Sequence, residues 1–265
     1  MSGITAHMIV KNEDQWVWYA LQAILPYVDK VLVIDTGSTD QTVPIIQLIS
    51  SPKIQLSFHK VHSASDLTNL RNLQLQQTTT PWIWLVDGDE VNTKKGAQEI
   101  VRAATPDRHG IAVRRYDLLG DIYHRQLESV GEYRLLGTRG HLVTRLINRS
   151  HFPGLHVGRP YPLEAYLDQD GKMVHSYATS KWYLTQEHLY HTMYLKRSSL
   201  GGNLAMLNRH KYKVETGLPI QDDLPEVFSL LRPALVPNPL VRRSIVYELA
   251  ATIITPVKNL KRKIL

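Results

Sequence analysis

The sequence predicts an α/β fold: an open, mostly parallel sheet with helices on both faces, extended by a C-terminal helical tail. Three observations carry this expectation. Apolar, β-rich runs recur at residues 4–10, 30–35, 54–58 and 82–87, and the segments between them repeat apolar residues at helical spacing. Strands alternating with helices favour parallel pairing, because each crossover helix returns the chain to the same end of the sheet. The chain has 265 residues, 43% hydrophobic and 21% charged, and is long enough to bury the core such a sheet needs.

Taken in order, "ITAHMIV" (4–10) forms the first strand, and Trp16, Tyr19, Ala20, Ala23 and Ile24 mark the apolar face of the first helix. "KVLVID" (30–35) is the second strand, followed by a helix carrying Val43, Ile46, Leu48 and Ile49. "IQLSF" (54–58) and "WIWLVD" (82–87) complete the set, with the amphipathic "DLTNLRNLQLQ" (66–76) between them. Past residue 105 the pattern loosens. "GIAVRRYDLLG" and "HLVTRLINR" read as strands, the Gly-rich span 131–140 as a loop, and residues 181–213 as helical, broken at Gly201 and Gly202. A Pro-rich, acidic connector (215–239) leads to the tail, where Val241, Ile245, Leu249 and Ile253 recur at helical spacing and Pro256 is expected to kink or divide the helix.

Composition narrows the chemistry. With no cysteine, thiolate nucleophiles, thiolate metal sites and disulfides are excluded. The N-terminal stretch has no basic leader, and no run reaches the roughly 18–20 apolar residues of a membrane span, so a cytoplasmic protein is expected. The net charge of +7 gathers in the tail, where Arg242, Arg243, Lys258, Lys261, Arg262 and Lys263 face only Glu248. These basic residues lack interleaved aromatics, so nucleic acid is not an expected partner. An anionic membrane surface, met through residues 238–265, is the expected one; packing of that face on the body is the alternative. No P-loop string or Ser-His-Asp order is present.

The stretch "WIWLVDGDE" (82–90) drives a buried-type strand into three carboxylates, Asp87, Asp89 and Glu90. Such neighbours repel unless a cation or hydrogen-bond donor sits among them. Two further polar clusters, "KNED" (11–14) and "DTGSTDQT" (35–42), also follow strands, and in open parallel sheets ligands bind beyond the carboxyl ends of strands. A phosphate-bound divalent cation fits that place.

These motifs, "KNE", "DTGSTD" and "DGDE" in this order, resemble family 2 glycosyltransferases of the GT-A fold, over roughly residues 5–105. The resemblance implies a GT-A domain over 1–214, with a nucleotide-binding half (1–105) and an acceptor half (106–214), then the connector and basic tail (215–265). It implies a metal-dependent transfer, inverting at the sugar, from a nucleotide-sugar donor, a UDP-sugar, to a saccharide or lipid-linked acceptor in envelope glycan synthesis. Val10, Lys11, Asn12 and Glu13 would pass under the nucleobase. Asp35, Arg71 and Asp87 would hold the nucleotide, and Asp89 the Mg²⁺ or Mn²⁺ ion, with His156 as a further ligand. Where relatives carry a second acid beside Asp35, this chain has Thr36. Where they carry glutamate after the histidine, it has Val157, so the catalytic base falls to Glu164, Asp168 or Asp170, with Glu164 first. A solvated helix face for Arg71, a helix-capping acidic loop for Asp87 and Asp89, and a solvated loop for the three acids are the structural alternatives. The pairs His59/His62 and His188/His191 have the i, i+3 spacing of a helix face and, without a third ligand, are read as surface or packing features. The competing function is a non-catalytic nucleotide-sugar-fold protein at the membrane surface.

Overall fold

The computed structural model describes residues 3–195 and 213–264. Through the first half run β1 (Ile4–Val10), α1 (Val17–Ile24), β2 (Lys30–Asp35), α2 (Thr42–Gln47), β3 (Ile54–Phe58), α3 (Ala64–Gln76), β4 (Trp82–Leu85), β5 (Glu90–Val91) and α4 (Lys94–Ala103). There follow β6 (Gly110–Asp117), β7 (His124–Arg125), β8 (Tyr133–Leu135), β9 (Thr138–Gly140), β10 (Leu142–Asn148), β11 (His156–Gly158), β12 (Ala165–Leu167), β13 (Trp182–His191), β14 (Leu218–Pro219) and α5 (Ile245–Ile264).

Eight strands form one mixed, open sheet in the order β3-β2-β1-β4-β10-β6-β13-β5, with four of its seven pairings parallel. β4 is buried on both faces: Trp82 and Trp84 join the main core, Ile83 and Leu85 a second cluster with Phe152 and Val157. That placement is why its sequence is an unbroken apolar run. α1 buries nearly every side chain against the main core, and α3 opens on a capping box in which Ser63 and Asp66 satisfy each other's backbone N–H groups. β10 runs against both β4 and β6, so the carboxyl ends of β1, β2, β4, β6 and β13 all reach one rim.

The four early strands lie where the alternating pattern places them, and differences begin later. The segment expected to be helical from Lys181 starts instead with the ten-residue β13; the remainder of that expectation, with Gly201 and Gly202, lies outside the described residues. Trp182, Tyr183, Thr185 and Tyr190 favour extended backbone, and pairing along β6 buries Trp182, Thr185, Leu189, Tyr190 and His191, which outweighs the weak helical spacing. The span 131–140 contains the small β8–β9 hairpin. The 215–239 connector packs: Phe228 sits edge-on to Trp16, Tyr19 and Tyr190. α5 continues through Pro256.

Candidate active site

The rim is laced together locally. At the end of β1, Asn12 adopts a left-handed φ of 54°, stabilised because its side chain accepts from Thr39 N (2.8 Å) while its own N–H donates to Ser38 Oγ (2.9 Å). Glu13 N donates to Thr42 Oγ1 at 2.7 Å. At the end of β2, Asp35 Oδ1 accepts from the N–H groups of Gly37 and Ser38, both at 3.0 Å. Its Oδ2 is buried with no hydrogen-bond partner. Thr36 donates its hydroxyl to the Val10 carbonyl (3.0 Å), so it ties the two strand ends together.

The acidic turn after β4 presses on the same loop. A Cβ at Gly88 would lie 3.1 Å from Val10 Cγ1 and 3.2 Å from Glu13, which is why glycine separates Asp87 from Asp89. The positive charge that this cluster demands comes from the protein itself. Arg145, at a bulge in β10, donates through Nη2 to Asp87 (2.7 Å) and to Glu90. Burial disfavours the guanidinium charge, but Glu90 and Asp87 outweigh it, holding Arg145 well above the ordinary arginine range.

Asp89 is engaged differently. Its carboxylate lies 3.4 Å from His191 Nε2, at the end of β13, and its carbonyl accepts from Thr192 N at 2.9 Å. His191 Nδ1 in turn lies 2.8 Å from Asp117 Oδ1. Asp117 also meets Arg115 (3.0 Å) and His141 (3.7 Å); burial works against its charge, yet these contacts keep its carboxyl below the usual range. Among the described residues, no group of three or more His, Cys, Asp or Glu side chains is arranged to hold a metal ion. Asp89 and His191 nonetheless form a carboxylate–imidazole pair whose chemistry suits a divalent ion, with Asp117 orienting the imidazole from behind. His156 Nδ1 lies 3.0 Å from the Gly154 carbonyl.

A third contact joins α3 to the later loops. Arg71 Nε donates to Glu164 Oε1 at 2.9 Å. Burial again opposes the charge, and Tyr166, Glu164 and Asp87 together raise Arg71 beyond its ordinary range. Beside it Asn72 exchanges two hydrogen bonds with the Val157 backbone (2.7 and 2.9 Å), which fixes β11 against α3. Of the other two acids, Asp168 accepts from Asp170 N, Lys172 N and the Tyr177 hydroxyl, and is spent on its own turn. Asp170 is exposed.

The structure therefore brings Val10–Glu13, Asp35, Arg71, Asp87, Asp89 and Glu164 to one region. Two residues had signals that sequence reasoning did not use. Arg145 lies in the strand-like run "HLVTRLINR" and carried no role. His191 was paired with His188 as though on a helix; on a strand, residues three apart face opposite ways. His188 accordingly stacks on Tyr116 at 4.1 Å while His191 faces Asp89. His59 and His62 lie in the loop before α3.

Comparisons with known proteins bear on the family and the fold. The glycosyltransferase SunS of the SPbeta prophage in Bacillus subtilis (strain 168) is 29% identical over 101 residues, 38% of this chain and 23% of SunS. A TPR repeat-containing protein of Synechococcus elongatus is 32% identical over 92 residues, 34% of this chain and 21% of its own length. The chain thus matches less than a quarter of each of these curated relatives. The crystal structure of S. aureus TarS 1–349 in complex with UDP-GlcNAc superposes with a TM-score of 0.50 at 14% identity, covering 74% of this chain and 59% of that one, which establishes the shared GT-A fold. The family profile described as Glycosyl transferase family 2 matches residues 5–167, well over half of the sequence, and the chain belongs to that family.

Proposed function

We propose that this chain transfers a sugar, with inversion, from a nucleotide-sugar donor to a hydroxyl of a saccharide or lipid-linked acceptor in envelope glycan synthesis. The observation that carries the reading is the meeting of Asp35, Arg71, Asp87, Asp89 and Glu164, from separate segments, at the carboxyl ends of parallel strands. A UDP-sugar is the donor proposed, following the resemblance. Asp35, with one carboxylate oxygen unsatisfied, would accept from a nucleoside hydroxyl. The guanidinium of Arg71 would face the diphosphate, and Arg145 keeps Asp87 and Glu90 in place while the donor binds. Asp89 and His191 would hold the Mg²⁺ or Mn²⁺ ion, which neutralises charge on the leaving diphosphate when bound.

In the reaction the acceptor oxygen forms a bond to the anomeric carbon as the bond from that carbon to the diphosphate oxygen breaks, with the electron pair leaving on the diphosphate. Glu164 would take the acceptor proton. A second reading follows from Val157, which lies buried in the core at the position where the family resemblance implies the base: a chain that binds donor without transferring it. Thermal stabilisation by a panel of nucleotide sugars, with and without Mg²⁺ or Mn²⁺, followed by assay of diphosphate release, separates the two. Stabilisation with release supports transfer, stabilisation without release supports the second reading, and no stabilisation by any donor refutes both.

A further inference from the structure

We propose that the outward face of α5 is a docking surface for an anionic phospholipid bilayer. That this surface then serves the acceptor side of the rim rests on the transferase reading; the docking itself does not.

The helix has two apolar sides, and only the inner one is used. Tyr247, Ala251 and Thr255 are buried against the body. The Tyr247 hydroxyl donates to the Lys213 carbonyl (2.8 Å), and Thr255 Oγ1 accepts from Thr216 N (2.9 Å). Gly120 makes the seat, since a Cβ there would come within 2.7 Å of the Tyr247 ring. Buried Glu215 holds the basic end by accepting from Arg262 (2.7 Å), with Lys258 at 3.4 Å. Arg243 clamps Glu248 at 2.7 Å. The helix is therefore fixed without its outer side.

That outer side carries Ile245, Val246, Leu249, Ile253, Val257 and Leu260, each between 62% and 78% exposed. At about 100° per residue they fall on one stripe of roughly 120°, opposite the buried face. A contiguous aliphatic stripe of this kind marks a contact surface. Its chemistry selects the occupant. Lys261 and Lys263 are exposed and border the stripe, while the other basic residues of this turn face Glu215. An apolar protein surface would satisfy the aliphatics alone; an interface of acyl chains beneath anionic headgroups satisfies both. No helix among the described residues is long and apolar enough to cross a membrane, so the helix would lie in the interface.

Its position links this surface to the rim. Gly120 follows Asp117 by three residues, and Asp117 holds the imidazole of His191 that faces Asp89. A bilayer under α5 would lie on the β6 side of the acidic cluster.

Flotation of the full chain with phosphatidylcholine vesicles, with and without phosphatidylserine, tests the proposal. Wild type is expected to float with the anionic vesicles and to be released as salt rises. Leu249→Asp/Ile253→Asp is expected to lower the bound fraction about tenfold or more, since it places charge in the apolar stripe. Lys261→Glu/Lys263→Glu is expected to remove the preference for phosphatidylserine. Unchanged melting temperature and nucleotide-sugar stabilisation in these variants would show that fold and donor site are intact, so failure here and failure of the transferase reading are distinguishable. Wild type that ignores both vesicles overturns the proposal, as does an aspartate variant that binds like wild type. So does a concentration-dependent dimer that the aspartate variant abolishes without any vesicle binding, which would assign the stripe to a second copy of the chain.

Discussion

Arg71 on α3 donates to Glu164 over 2.9 Å, a contact that spans 93 positions of sequence and fastens the β11–β12 segment to the first half of the chain. Glutamine at 164 keeps an acceptor oxygen for Arg71 but cannot take a proton. Glu164→Gln is therefore expected to lower kcat by about 10²–10⁴-fold. The donor dissociation constant should change little. Steady-state kinetics beside donor titration check this; a large rise in that constant with unchanged kcat would make Glu164 a positioning residue for Arg71.

Asp89 and His191 should act together on the metal ion. Asp89→Asn is expected to abolish metal-dependent donor binding while leaving the melting temperature close to wild type, because one charge is removed near two remaining acids. Asp117→Asn, acting through the imidazole, should weaken metal affinity by about 10–100-fold. Calorimetric titration with Mn²⁺ measures both, and wild-type affinity in Asp89→Asn would remove it from the metal role.

Arg145 is the counter-ion of the acidic turn, and the pair with Glu90 is nearly dry. Arg145→Met leaves Glu90 charged and buried, which is expected to cost about 3–5 kcal/mol of stability. Asp87 should contribute less to that loss, because its side chain is 43% exposed. Combining Arg145→Met with Glu90→Gln should restore part of the stability, as read by denaturant unfolding of the four proteins of the cycle.

His7, within β1, is buried with Nε2 at 2.6 Å from Thr78 Oγ1. The Thr78 hydroxyl donates to the Gln74 carbonyl, so neutral His7 carries its proton on Nε2. Burial first, then the charges of Arg71 and Arg149, depress its pKa to about 3. Unfolded, the imidazole binds a proton below about pH 6.5, so between those values the unfolded chain holds more protons and stability falls as pH falls. The slope from this group approaches about 1.4 kcal/mol per pH unit. A His7→Gln variant should lose that part of the acid sensitivity in unfolding measured from pH 7 to pH 4.

The first half of the fold was legible because each strand there is buried on a parallel sheet and each helix shows one apolar face, so local pattern and tertiary demand agree. Asp87 and Asp89 stood out as carboxylates closing a buried-type strand, while Asp35 and Arg71 were named only through the resemblance to family 2 glycosyltransferases. β13 was not legible, since its mixed run WYLTQEHLYH lacks a clean period of two and is held extended only by pairing with β6, a partner some 70 residues earlier. That error carried His191 with it, because facing is decided by secondary structure before chemistry. Arg145 was hidden differently. Nothing local marks a basic residue in a strand as the partner of acids at 87 and 90, and only the antiparallel pairing of β10 with β4 brings them together.

The placement of β10 between β4 and β6 also bears on how the chain is made. Asp87 and Glu90 leave the ribosome before Arg145 exists, and until β10 arrives β4 is an uncovered edge of tryptophan and aliphatic side chains. A nascent chain of that length would have both self-repelling acids and a sticky border, the features that promote misassembly during synthesis. Insertion of one strand relieves both at once. Residues 1–105 are thus expected to depend on the later strands for their folding, and expressed alone they should aggregate.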